Sequence, residues 1–106
     1  VKDIVICGHS DCGAIKALEK ETDDVYIPLW LNNAIEAKNR VDAKIPAPKT
    51  PEAAKERSRM IEQENVRLQI EHLKPYPVAK NAPAEKKIET HGLYYNLSDG
   101  SLTTIV

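Results

Sequence analysis

Hydrophobic and polar positions alternate between two rhythms along this chain. Ile4 to Cys7 is an unbroken apolar run ended by Gly8, the pattern of a strand covered on both faces, as in a parallel sheet. Ala14, Ile15, Ala17 and Leu18 follow within Gly13 to Lys20 and predict a helix packed back on that strand. His9 to Cys12 then falls in the loop at the strand's carboxyl end, the edge where ligands sit in open α/β sheets. Pro28 suits the first turn of a second helix. Trp30, Ala34, Ala37 and Val41 lie on one face of it at helical spacing.

After the proline-rich linker Ile45 to Thr50, the chain signals a long helix. Thr50 is an N-cap residue, Pro51 fits the first helical position, and Glu52 suits the positive end of the helix dipole. The helix is expected to run to about Leu73, with Val66, Ile70 and Leu73 as its apolar stripe and Leu68 beside it. Pro75 and Pro77 end it. Residues 80–87 read as a loop. Ile88 to Leu97 reads as a strand with Leu93, Tyr95 and Leu97 on its packed face. Ser98-Asp99-Gly100 is a turn, and Leu102 to Val106 is the returning strand. Strand, three helices and hairpin together predict an α/β fold with a partly parallel sheet. The 106 residues fit one domain or a piece of one. A chain opening directly on a strand leads us to expect that upstream residues are missing.

Composition narrows the partners. A net charge of -1 gives no electrostatic reason to expect nucleic acid or an anionic membrane. No apolar stretch approaches the roughly 20 residues that cross a bilayer, and the first apolar run is too short for a secretory signal. The two cysteines, Cys7 and Cys12, do not form a secreted disulfide scaffold. Reduced thiols in a cytoplasmic or stromal compartment are the simpler reading.

The chemistry-bearing stretch is His9-Ser10-Asp11-Cys12. Imidazole nitrogen and thiolate sulfur are ligand types that zinc prefers. A strand-end loop can direct two side chains three positions apart at one metal, with Gly8 and Gly13 allowing the tight backbone. Alone, His-x-x-Cys is also a pattern that ordinary loop residues make. Asp11 reads as an acceptor for loop amides. His72, near a helix end, reads as a surface residue, and His91 as a packing or hydrogen-bonding one. Trp30 reads as core or subunit contact. Lys80, Lys86 and Lys87 read as a solvated loop.

Ile6-Cys7-Gly8-His9-Ser10-Asp11-Cys12-Gly13-Ala14 resembles the second zinc-binding segment of β-class carbonic anhydrases. Glu64-Asn65-Val66 with Gln69, Leu73 and Tyr76-Pro77 resembles that family's late helix. His91-Gly92-Leu93-Tyr94-Tyr95-Asn96-Leu97 with Gly100 resembles its terminal hairpin. The resemblance implies one partial β-carbonic anhydrase domain over residues 1–106, with helices packed on the sheet and a C-terminal antiparallel hairpin. It implies His9 and Cys12 as ligands of Zn2+, carbon dioxide and bicarbonate as substrates, and a homodimer or higher homo-oligomer. The compartment would be cytoplasmic, stromal or another carbon-fixing one.

The family's further cysteine ligand and its catalytic aspartate-arginine pair lie in a Cys-x-Asp-x-Arg segment that this sequence lacks. Cys7 is a poor replacement, because one strand repeat puts it about 6.6–7 Å from His9 along the backbone. The resemblance therefore implies a lyase in the intact protein, inactive as this chain alone. Two other readings stand beside it. One is a degenerate carbonic-anhydrase-like module for binding or assembly. The other is a phosphate-binding loop over Gly8 to Gly13, which lacks the lysine and hydroxyl pair of a P-loop.

Overall fold

A computed structural model describes residues 1–81 and 87–106. The elements are β1 (Asp3–His9), α1 (Gly13–Ala17), α2 (Tyr26–Leu31), α3 (Ile35–Asp42), α4 (Pro51–Leu73), α5 (Pro77–Lys80), β2 (Glu89–Tyr95) and β3 (Leu102–Thr104). They form a partial α/β domain on a mixed sheet of order β1-β2-β3. β1 and β2 are parallel, with Asp3 opposite Glu89 and His9 opposite Tyr95. The intervening helices make the crossover that a parallel pair requires. β2 and β3 are antiparallel, with Tyr95 opposite Leu102. Gly100 takes the left-handed conformation in the turn between them (φ 73°).

Helix α4 organises the packing. The Thr50 hydroxyl accepts from the Ala53 amide at 3.0 Å and Pro51 opens the first turn, as the sequence predicts. Two faces of α4 are buried. Ile61 and Leu68 join Ile15, Ala34, Ala37 and Val41 in the core toward α1 and α3. Val66 and Ile70 face the sheet, where they lie closest to Gly8 and Gly92. Val66 and Leu68 are almost fully enclosed, and each such side chain contributes about 1.5–3 kcal/mol. Leu73, expected in the same stripe, is only half-buried.

Arginines tie the helices together. Arg57 pairs with Asp42 at the end of α3 and with Glu19 beyond α1. Arg40 reaches Glu36, Glu64 and Glu71. Bidentate contact with Asp42 holds the Arg57 guanidinium fork in one orientation.

Several expectations are corrected. β1 is covered on one face: Ile4, Ile6 and Gly8 turn inward, while Val5 and Cys7 are exposed. The second helix is two helices with a break over 32–34. Ala34, Ala37 and Val41 are buried as predicted, but Trp30 is 65% exposed and outside the core. In its helix, α2, the buried residue is the neighbouring Leu31.

In β2 the buried residues are Gly92 and Tyr94. Leu93 is half-buried, and Tyr95 and Leu97 are exposed. Residues alternate as predicted, but α4 covers the opposite face, because Gly92 admits the close approach of Val66 and Ile70. The return strand ends at Thr104, and both Ile105 and Val106 donate to the Gly92 carbonyl, a two-against-one pairing like a bulge. Lys80 ends α5 where a loop was expected, and residues 82–86, including Lys86, lie outside the described residues.

Candidate metal centre

His9 is the last residue of β1 and Cys12 is the N-cap of α1. The sequence-predicted pair therefore flanks one two-residue turn at the carboxyl end of the strand. Two contacts hold the turn to β2. The Ser10 amide donates to the Tyr95 carbonyl at 2.9 Å, extending the ladder past His9. The buried Ser10 hydroxyl accepts from the Leu97 amide at 2.8 Å. Asp11 makes the reversal with φ 55°, a conformation that aspartate tolerates better than most residues.

That last observation corrects the roles expected of the flanking glycines. Neither Gly8 nor Gly13 has a positive φ. Gly8 is needed for packing, since a Cβ there would lie 2.7 Å from Val66 Cγ2. Nothing lies within 4 Å of a Cβ built on Gly13. Among the described residues, the Asp11 carboxylate accepts no loop amide. It pairs with Lys16, whose hydrogen bond and charge hold its pKa below the usual carboxylate value.

His9 is exposed, and its Nδ1 lies 2.7 Å from the Ser10 carbonyl oxygen. A carbonyl can only accept, so Nδ1 carries the proton and Nε2 keeps its lone pair for a metal. Cys12 is a free thiol, half-buried beside Ile15. It also lines a cavity of about 780 Å³ with Trp30, Leu31, Gln69 and Tyr76. Nitrogen and sulfur donors on one loop fit zinc by type. Among the described residues, no third His, Cys, Asp or Glu completes a group of three ligating atoms with them. Cys7 is exposed on the open sheet face, as its strand parity requires.

A group that the sequence did not reveal stands behind the turn. Glu62 on α4 is 2% exposed. Its Oε2 accepts the Cys12 amide at 2.9 Å. Its Oε1 accepts the Tyr94 hydroxyl at 2.7 Å, and Arg59 reaches both oxygens at 2.8 Å. Burial and the adjacent Glu62 carboxylate push the Tyr94 phenol well above its ordinary pKa, so it stays a donor. The signal was available: 62, 66 and 70 share one helix face, which places a carboxylate in line with Val66 and Ile70.

Two other histidines lie apart. His72 is exposed in the last turn of α4, with Nδ1 3.1 Å from Gln69 Oε1. His91 Nε2 donates to Asp3 at 2.8 Å, the hydrogen-bonding role expected of it. Glu89 joins these two at the opposite end of the sheet, with ligating atoms within 4.8 Å of one another. Both carboxylates there are exposed to solvent.

The family model for carbonic anhydrase matches residues 1–102. The chain belongs to the β-carbonic anhydrase family. It is 35% identical over 105 residues to carbonic anhydrase 1 of Escherichia coli O157:H7, covering 96% of this chain and 46% of that protein. It is 29% identical over 109 residues to the carbonic anhydrase of Synechococcus elongatus, covering 99% and 39%. A tetrameric β-carbonic anhydrase of Sordaria macrospora superposes with a TM-score of 0.81 at 30% identity, covering 98% of this chain and 52% of that one. One from Aspergillus fumigatus gives 0.82 at 25% identity, covering 98% and 48%. The chain thus spans about half the length, or less, of these carbonic anhydrases. Among the described residues, no helix is long and apolar enough to cross a membrane.

Proposed function

We propose that residues 1–106 form one part of a β-carbonic anhydrase domain whose intact form catalyses the reversible hydration of carbon dioxide to bicarbonate and a proton. The observation that carries this reading is the His9-Ser10-Asp11-Cys12 turn at a strand end, in a chain that matches the family over residues 1–102. His9 Nε2 and Cys12 Sγ are the proposed zinc ligands. The carbonyl of Ser10 orients the His9 ring and selects its tautomer. When bound, zinc is a Lewis acid that lowers the pKa of a water ligand to about 7. A catalytic site needs three protein ligands and one open position. The third ligand and the aspartate-arginine pair are proposed to come from sequence outside these 106 residues.

Family resemblance supports a homo-oligomer, and so does the surface of α2. Tyr26, Leu29 and Trp30 are each more than half exposed there, and exposed aromatic and apolar residues grouped together mark contact surfaces. A soluble compartment, cytoplasmic or stromal, suits two reduced cysteines.

Zinc content and stopped-flow hydration of carbon dioxide test the reading. The 106-residue chain alone is expected to bind zinc weakly and to turn over negligibly. Co-folding it with a family segment carrying Cys-x-Asp-x-Arg should recover zinc and turnover together. Zinc and turnover in the isolated chain equal to a full-length relative would overturn the ligand argument. Neither property in the co-folded form would favour a module for binding or assembly.

A further inference from the structure

We propose that Glu62 is a positioning residue of the metal centre: it fixes the backbone of Cys12 and so aims the thiolate. The inference rests on His9 and Cys12 being the ligands, and adds a residue from another element to that site. A charged side chain is almost never fully buried unless paired, and every partner of Glu62 is a donor. Three of its four contacts, from Arg59 and Tyr94, clamp the carboxylate itself. The fourth leaves the clamp and holds the Cys12 amide, 50 positions away in sequence.

That amide is where control of the thiolate is greatest. Asp11 has just reversed the chain, and the Cys12 carbonyl is already held by the Lys16 amide at 3.1 Å. With its amide also held, Cys12 is fixed on both sides of Cα, at φ -80° and ψ 119°. Only rotation about χ1 then remains to place Sγ. A buried ion pair adds little net stability over an apolar replacement, whereas a carboxylate on a rigid helix gives the loop a fixed direction. Arg59 sits one turn before Glu62 on the same helix, so the clamp does not depend on the loop it steers.

The test uses cobalt(II) as probe in the full-length protein, read by binding affinity and by the thiolate-to-cobalt charge-transfer band. Glu62→Ala should weaken cobalt binding by about 10–100-fold, the range for residues that orient metal ligands, and should diminish the band. Glu62→Gln keeps the shape and an acceptor for the Cys12 amide, and should restore part of the loss. Val41→Ala, in the core that α3 shares with α4 and outside the clamp, should lower the unfolding midpoint while leaving cobalt affinity unchanged, which separates positioning from support of the fold. If Glu62→Ala does not fold, Glu62→Leu, which is of similar size and also lacks an acceptor for the Cys12 amide, carries the test. Undiminished affinity and an unchanged band in a folded Glu62→Ala or Glu62→Leu protein would overturn the inference alone. Absence of the band in the unaltered protein would overturn the ligand assignment, and the inference with it.

Discussion

Gly8 lies so close beneath Val66 that a Cβ added to it would sit 2.7 Å from Val66 Cγ2. The neighbour is a stiff β-branched side chain, so relief requires α4 or β1 to move. Gly8→Ala is therefore expected to lower stability by about 1–3 kcal/mol, the usual cost of overpacking. Gly13→Ala, in the same turn but with open space at Cβ, should stay within about 0.5 kcal/mol. Urea unfolding of the two variants checks this, and equal midpoints would count against close packing as the reason for Gly8.

Ser10→Ala removes the acceptor of the Leu97 amide, a bond whose hydroxyl end is buried while Leu97 is exposed. The expected cost is about 0.5–1.5 kcal/mol, that of one lost hydrogen bond. Hydrogen exchange should locate the effect, with faster exchange at Leu97 and no change in the middle of α4. Uniform acceleration across the chain would instead indicate global destabilisation.

Acid should weaken the fold through three paired carboxylates. Hydrogen bonds from Arg57, Arg40 and Lys16 lower the pKa values of Asp42, Glu71 and Asp11 respectively. Depressed folded-state values mean that the stabilisation is fully present above the unfolded values, 3.8 for aspartate and 4.5 for glutamate. It is lost as the pH falls through the lower folded values. The urea midpoint should hold from neutral pH down to about 5 and drop below about 4. Asp42→Asn should shrink that drop. A variant profile parallel to the unaltered one would show that the Arg57 pair does not contribute.

In the full-length protein, Cys12→Ser should lose most of the zinc, because a hydroxyl replaces the thiolate that zinc prefers. His72→Ala should retain zinc and turnover, since that imidazole is exposed and its hydrogen-bond partner among the described residues is Gln69 on its own helix. Metal analysis after dialysis distinguishes them. Retained zinc in Cys12→Ser would remove Cys12 from the ligand set.

The start of α4 at Thr50-Pro51, the turn at Gly100 and the placement of His9 and Cys12 at a strand end all follow from the sequence. Each depends on residues within a few positions of one another, where capping, backbone conformation and alternation act directly. Alternation says which strand residues share a face and is silent on which face another element covers. Leu93, Tyr95 and Leu97 were the more apolar set, yet α4 lies over Gly92 and Tyr94 because the glycine leaves room for it. The anchoring of Cys12 by Glu62 also waited on tertiary structure. A carboxylate's partners are set by the distances between helix and loop, and no local pattern joins residues 50 positions apart.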